Sequence, residues 1–286
     1  MRLGFVGIGK HAQKMAAAFR ECGAEVVAYW RKAMPEFDGP SEWGALMPWR
    51  DQILSTNIDA LIICAPPEVT TEVALACAKA GKRCVATKPL TVTQPPDNFS
   101  GHRQCVYVDL WRIYSPAWQA LKAEIKGKKI ERVSVEFYGN GPQRSFSGLL
   151  DYAPHALAFV GDLLGHMPQL TFREGPPGQW RGEADIPMAG SVSNRVTTVR
   201  VETGNGFSES QMSVRVKLDS GLRYQWREST DDGAHLFLVG GQNHPTLECD
   251  RSLALRSFCR AFLAGEPSDT LWLSCDAMKV LMPMVG

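Results

Sequence analysis

Three observations in the sequence predict an α/β fold in two parts, a doubly wound parallel sheet followed by an open, mainly antiparallel one. The chain opens on an apolar strand that runs straight into a glycine turn and a helix. Strand and helix patterns then alternate, and from Ile130 onward the apolar period changes from helical to alternating. With 286 residues, 44% hydrophobic and 21% charged, the chain is long enough for two ordinary domains. They are set here at 1–113 and 114–286, the closing helices of 250–286 being free to pack back on the first.

In the opening stretch MRLGFVGIGKHA, Leu3, Phe5 and Val6 read as a buried parallel strand. Gly7, Gly9 and Ala12 fill the three small-residue positions of a dinucleotide fingerprint. The first permits a tight turn, the second lets the backbone approach a pyrophosphate, and the third lets helix and strand pack closely. Lys10 and His11 lie inside the turn, where His11 is placed to touch the pyrophosphate. Residues His11 to Arg20 read as a helix with Ala12, Met15, Ala16 and Phe19 on one face, ended by Gly23.

Glu25 to Tyr29 is the second strand. At its end a dinucleotide-binding fold of the Rossmann type usually places an acidic residue to bond the adenosine ribose hydroxyls, and here stand Trp30, Arg31 and Lys32. With no carboxylate and two cations, NADP(H) is preferred over NAD(H), its 2′-phosphate met by Arg31 and its adenine stacked on a guanidinium or on Trp30. The alternative is a surface loop with ordinary basic residues. Pro35 to Trp49, rich in Pro, Gly and Trp, reads as a loop with a short helix near Trp43 to Leu46. Asp59 to Cys64 is a strand, Glu68 to Ala80 a helix closed by Gly81, and Lys82 to Ala86 another strand.

A net charge of +1, from 31 basic and 30 acidic residues, gives no field that would draw nucleic acid or an anionic membrane. No apolar run approaches the roughly 18 residues of a membrane span, and the N-terminus is a strand without the marks of a signal peptide, so a cytoplasmic location is expected. The eight cysteines form no C-x-x-C pair, and most sit in apolar runs such as LIICAP and ALACAKA. They are expected to be reduced core residues, with no metal site among them.

The run ICAPPEVTTEVALACAKAGKRCVATKPLTV, taken with the opening G-x-G-x-x-A, resembles the Gfo/Idh/MocA family of NAD(P)-dependent oxidoreductases. In that family a Thr-Pro turn, here Ala65, Pro66 and Pro67, and a Glu-Lys-Pro tripeptide, here Thr87, Lys88 and Pro89, flank the nicotinamide. Downstream, VDLWRIYSPAWQALKAEI is similar to the family's entry into its second domain, and GLLDYAPHALAFVGDLLG to its G-x-x-x-D-x-G-x-H helix. Leu253 to Met282 resembles the closing helices. The chain departs from the family at Thr87 for Glu, at Thr70 for a frequent His, at Ala158 for a second Asp, and in the shortened segment after Pro89.

Hydride exchange with a carbonyl carbon needs a proton partner on the oxygen. Lys88 directly follows a strand, at the carboxyl end of the sheet where such folds bind ligands. Asp151 and His155, four apart at the start of an apolar helix, share one face, and Pro154 is tolerated if it lies in the first turn. The resemblance implies that His155 exchanges the proton, Lys88 polarises the oxygen and helps hold substrate, and Asp151 orients the other groups. Read singly, Asp151 is equally an N-cap, His155 a core histidine and Lys88 a surface lysine. Arg112, Tyr138 and Tyr152, with Asn140 and Arg144, flank these segments as candidate substrate contacts, although arginines placed like Arg112 also form structural ion pairs.

The second half, with ERVSVEFYG, VSNRVTTVRVET, SESQMSVRVKL, LRYQWREST and HLFLVGG, reads as long strands joined by turns. Ser193, Arg195, Thr197, Arg215 and Lys217 are assigned to the face away from the core. The resemblance makes that face an oligomer interface, and a solvated face is the other reading. Two amphipathic helices, Asp250 to Ala264 and Leu271 to Met284, close the chain. The expected activity is hydride transfer between NADP(H) and a hydroxyl or carbonyl carbon. By resemblance the substrate is a sugar, a sugar derivative or another polyhydroxy compound. The rivals are C=N reduction, bond cleavage through transient oxidation, and cofactor sensing without turnover.

Overall fold

The computed structural model describes residues 1–31, 43–96, 99–139, 148–187, 196–229, 232–240 and 245–285. Lys32, Asn140, Arg144, Ser193 and Arg195 lie outside these. The chain divides into two compact units, Met1–Leu110 with Leu255–Cys275, and Trp111–Ala254 with Asp276–Gly286.

The first unit holds strands β1 (Arg2–Val6), β2 (Glu25–Trp30), β3 (Ala45–Leu46), β4 (Ala60–Ile63), β5 (Arg83–Ala86) and β6 (Val106–Val108). They form one parallel sheet in the order β3-β2-β1-β4-β5-β6, the order of a doubly wound dinucleotide fold. Every residue of β4 is buried, which is why its sequence is a continuous apolar run without alternation. Helices α1 (Lys10–Glu21), α2 (Trp49–Leu54) and α3 (Pro67–Lys79) connect the strands. Phe19 of α1 meets Phe262 edge-on at 5.6 Å, and Tyr107 of β6 meets the same ring at 4.9 Å, so Phe262 ties the returning segment to both.

The short helix expected at Trp43 to Leu46 is replaced by the edge strand β3, paired in parallel with β2. Gly44 takes a φ of +78°, and a side chain there would collide with the Val27 carbonyl. Only glycine lets the chain lie flush on β2. Trp43 is buried beside Phe5 and Tyr29, with ring centroids 4.8 and 6.3 Å away. Tertiary packing of one tryptophan thus overrides the weak local preference for helix.

The second unit begins with α4 (Pro116–Ile125), β7 (Ile130–Tyr138) and α5 (Gly148–Leu164). Next come β8 (Thr171–Glu174), β9 (Gln179–Pro187), β10 (Val196–Gly204) and β11 (Gln211–Leu218). Its last strands are β12 (Arg223–Glu228), β13 (His235–Val239) and β14 (Leu247–Cys249). The eight-stranded sheet runs β14-β13-β12-β11-β7-β10-β9-β8 and is antiparallel except for β7 against β10. Its inner face carries the cross-strand row Phe172, Val201, Val135, Val214, Trp226 and Phe237. Gly182 opposes Phe172 in this row, and a side chain there would strike the Phe172 ring. Helix α5 packs on β7 and β10, and α4 on β12, β13 and β14. The chain ends with α6 (Arg251–Ala264) and α7 (Thr270–Leu281).

Two sequence assignments change here. Thr197 is buried on the inner face, its hydroxyl donating to the Ile130 carbonyl at 2.7 Å, because it shares parity with Val199 and Val201. Arg215 and Lys217 do face outward, paired with Glu136 at 2.8 Å and Glu131 at 2.7 Å. Helix α5 begins at Gly148, so Asp151 is inside it rather than its cap, and Pro154 falls in the second turn. The ring there leaves the Leu150 carbonyl without its i+4 donor.

Candidate active site

The parallel sheet presents its carboxyl edge as a continuous line, because the hydrogen-bond ladder runs one residue past the strands. Gly7 donates its N–H to Trp30 O at 2.7 Å, Cys64 to Val6 O at 2.7 Å, Thr87 to Ile63 O at 3.0 Å, and Asp109 to Ala86 O at 2.8 Å. Arg31, Gly7, Cys64, Thr87 and Asp109 are thereby ranked along one edge at strand spacing, about 4.8 Å per step. Adjacent residues on this line are far apart in sequence.

The glycine turn fits a dinucleotide pyrophosphate. Gly7 has φ +91°, and a Cβ there would meet the Cys64 carbonyl. Gly9 faces open space, with nothing within 4 Å of the place a Cβ would take. It is the N-cap of α1, whose first turn has neither an acidic residue nor a side-chain cap. The amides of Lys10, His11 and Ala12 are left for an anion, with the positive end of the helix dipole behind them. Ala12 is fully buried, as close helix and strand packing requires. Trp30 ends β2 and Arg31 follows it, one hydrogen bond from Gly7, which is where an adenosine ribose would stand.

Across the sheet's switch point, Ala65 and Pro66 form the turn from β4, and Pro67 is the first residue of α3. Thr70, which stands where the resembling family often has His, donates its hydroxyl to Ala65 O at 2.9 Å and closes that turn. Thr87 and Lys88 follow β5, and the Lys88–Pro89 peptide is cis. Thr71 donates to Leu90 O at 2.7 Å, tying α3 to the Lys88 segment. The structure also supplies a residue the sequence did not single out. Asp109 Oδ2 accepts a 2.6 Å hydrogen bond from His11 Nε2. Position after an apolar strand was its one signal.

In the second unit, Asp151 and His155 lie on α5, one turn apart and both more than nine-tenths buried. The His155 ring stands 5.3 Å from the Phe137 ring of β7. Tyr152 places its hydroxyl where a Gly139 side chain would be, so Gly139 gives it room. Tyr138 is stacked on Phe207 at 3.8 Å, and burial, reinforced by Glu136, pushes its phenol pKa up.

Arg112 belongs to another cluster. Its Nε donates to Glu228 Oε2 at 2.7 Å, and its guanidinium lies 4.5 Å above the Trp111 ring. Arg251 reaches Glu228 Oε1 at 3.3 Å, and the fully buried His235 stands 3.6 Å from Oε2. Burial alone would raise the Glu228 pKa, but His235, Arg112 and Arg251 outweigh it and hold the carboxyl at about 2. Burial pushes the His235 pKa down. The arginine is therefore held in a structural ion pair.

Among the described residues no helix is long and apolar enough to cross a membrane, and no group of three His, Cys, Asp or Glu could hold a metal ion. All eight cysteines are free thiols.

The sheet order and the glycine turn define a Rossmann-type domain. Residues 1–98 match the model of the Gfo/Idh/MocA family described as "Oxidoreductase family, NAD-binding Rossmann fold". No curated protein sequence matches the chain. Solved structures share the fold over nearly all of it. A 3-ketoreductase from Actinomadura kijaniata, in complex with NADP and TDP-benzene, is 15% identical with a TM-score of 0.72, covering 100% of this chain and 97% of that one. Biliverdin reductase from Synechocystis sp. PCC 6803, in complex with biliverdin and NADP+, is 17% identical with a TM-score of 0.68, covering 99% and 97%. An oxidoreductase domain protein from Kribbella flavida is 13% identical with a TM-score of 0.75, covering 99% and 96%.

Proposed function

We propose that the protein is an NADP(H)-dependent oxidoreductase that exchanges a hydride with a hydroxyl or carbonyl carbon of a small polyhydroxy substrate, a sugar or sugar derivative. The observation that carries this reading is the carboxyl edge of the parallel sheet, where an open Gly9 at the start of α1 and Arg31 beside Gly7 suit a phosphorylated dinucleotide. The nicotinamide gives or takes the hydride when the cofactor is bound.

Within this reading Ala65, Pro66, Pro67 and Thr87 border the nicotinamide half, while Lys10, His11, Trp30, Arg31 and Lys32 serve the phosphates and adenosine. Lys88 polarises the reacting oxygen. His155 exchanges the proton at that oxygen, and Asp151 orients the imidazole or the substrate. Tyr138 and Tyr152 are substrate contacts. Arg112 is assigned the structural role its pairing with Glu228 supports.

Two structural neighbours in complex with NADP, one named a 3-ketoreductase and one a biliverdin reductase, support the cofactor and leave C=O and C=N reduction side by side. NADPH oxidation and NADP+ reduction against a panel of sugars, ketosugars and cyclic imines separate them. Lys88→Ala and His155→Ala are each expected to lower turnover at least a hundredfold while leaving NADPH affinity within a factor of about two. Unchanged turnover removes that residue from the mechanism, and tight cofactor binding with no turnover favours a sensor. The same reading seats a second copy on the outer face of the eight-stranded sheet, and a single species of monomer mass in sedimentation at micromolar concentration argues against it.

A further inference from the structure

The pairing of His11 with Asp109 has no place in the roles assigned above. Strand β1 leads into α1, β6 leads into Asp109, and β4 and β5 lie between them in the sheet. The 2.6 Å hydrogen bond from His11 therefore reaches over the tips of both intervening strands, beside the crevice at the β1/β4 switch point. Asp109 is buried to 4% exposure, whereas the His11 side chain keeps 42%. The second carboxylate oxygen, Oδ1, is buried without a hydrogen-bond partner among the described residues.

A buried carboxylate with one oxygen unsatisfied is costly, and it persists where another requirement holds it. No second ion pair reaches Asp109 among the described residues. Its other ionisable neighbours are Cys64 at the end of β4 and Cys259 on α6, whose thiols burial holds protonated. His11 is thus the group this carboxylate serves. Accepting Nε2–H fixes the ring's orientation and leaves Nδ1 as its remaining hydrogen-bonding nitrogen, an acceptor, on a side chain that keeps 42% exposure.

We propose that Asp109 is a positioning residue of the dinucleotide site, holding the His11 imidazole by Nε2–H so that Nδ1 accepts a hydrogen bond from a ribose hydroxyl of the cofactor. The inference rests on the reading of the glycine turn as a dinucleotide site. Removing a neutral hydrogen bond to the ligand weakens binding by up to about tenfold, and an imidazole that has lost its anchor delivers only part of that bond.

The test is titration with NADPH of the wild-type chain, His11→Ala, Asp109→Asn and the double variant, followed by calorimetry. Each single variant is expected to weaken binding by up to about tenfold, and the double to bind no more weakly than His11→Ala, because Asp109 acts through the ring. Nitrogen-15 NMR of the histidine ring reports the same link, with the proton on Nε2 in the wild type and its share moved toward Nδ1 in Asp109→Asn. Wild-type affinity in His11→Ala overturns the proposal, and this variant of a half-exposed residue folds even if Asp109→Asn does not. So does a loss in Asp109→Asn that persists in the His11→Ala background, or tighter binding in Asp109→Asn, which would make the pair a bar across the crevice. If the wild type binds neither NADPH nor NADH, the dinucleotide reading falls as well.

Discussion

At the scale of single residues the strongest electrostatic statement concerns Glu228. Its carboxyl, held at about 2 against an ordinary 4.5, binds fewer protons when folded than when unfolded. Its contribution to stability is therefore complete above about pH 4.5 and is lost as pH falls toward 2. His235, with its pKa lowered by burial from 6.5, adds a loss that begins below about pH 6.5, where the unfolded chain takes up a proton the folded chain refuses. Urea unfolding followed by pH is expected to show stability falling in both ranges. Glu228→Gln should lower stability by about 3–5 kcal/mol at pH 7, since it strands the buried Arg112 beside His235, and should remove the lower range. A loss below about 1 kcal/mol would mean that the arginine finds solvent, as a surface pair would.

At the scale of elements, the glycine turn separates folding from binding. Gly7→Ala forces a side chain onto the Cys64 carbonyl from a left-handed backbone, so both stability and NADPH affinity are expected to fall. Gly9→Ala has open space before it, and its melting temperature should stay near wild type while NADPH binding weakens about tenfold or more. Equal affinity in Gly9→Ala would move the pyrophosphate elsewhere. The opening motif was legible because its three small residues have local duties. Likewise α1, α3, β4 and β5 follow from period and punctuation. Elements whose reasons are tertiary were not. β3 exists because Trp43 fills a hole beside Phe5, α2 is too short to show a period, and β9 holds Gly182 where alternation would put a side chain. The α5 start was misplaced because Pro154 suggests a first turn, and packing on β7 and β10 carries the helix a turn earlier.

At the scale of the molecule, a parallel sheet in dinucleotide order and a separate open sheet make up the chain, and both were readable from the change of period at Ile130. The edge that ranks Arg31, Gly7, Cys64, Thr87 and Asp109 was half readable. Gly7, Arg31, Thr87 and Lys88 announce themselves by motif or position, whereas Asp109 gains meaning only from His11, 98 residues away. The outer face of the second sheet shows Arg215 with Glu136, Lys217 with Glu131 and Arg200 with Glu183, exposed pairs each worth at most about 1 kcal/mol. They keep that face polar without deciding the fold.

The most direct test of the central claim is a calorimetric titration of the purified chain with NADPH and with NADH, repeated on Arg31→Ala. Saturable binding is expected for both, with NADPH about tenfold or more the tighter and the difference removed in Arg31→Ala. A folded chain that binds neither dinucleotide would contradict the claim.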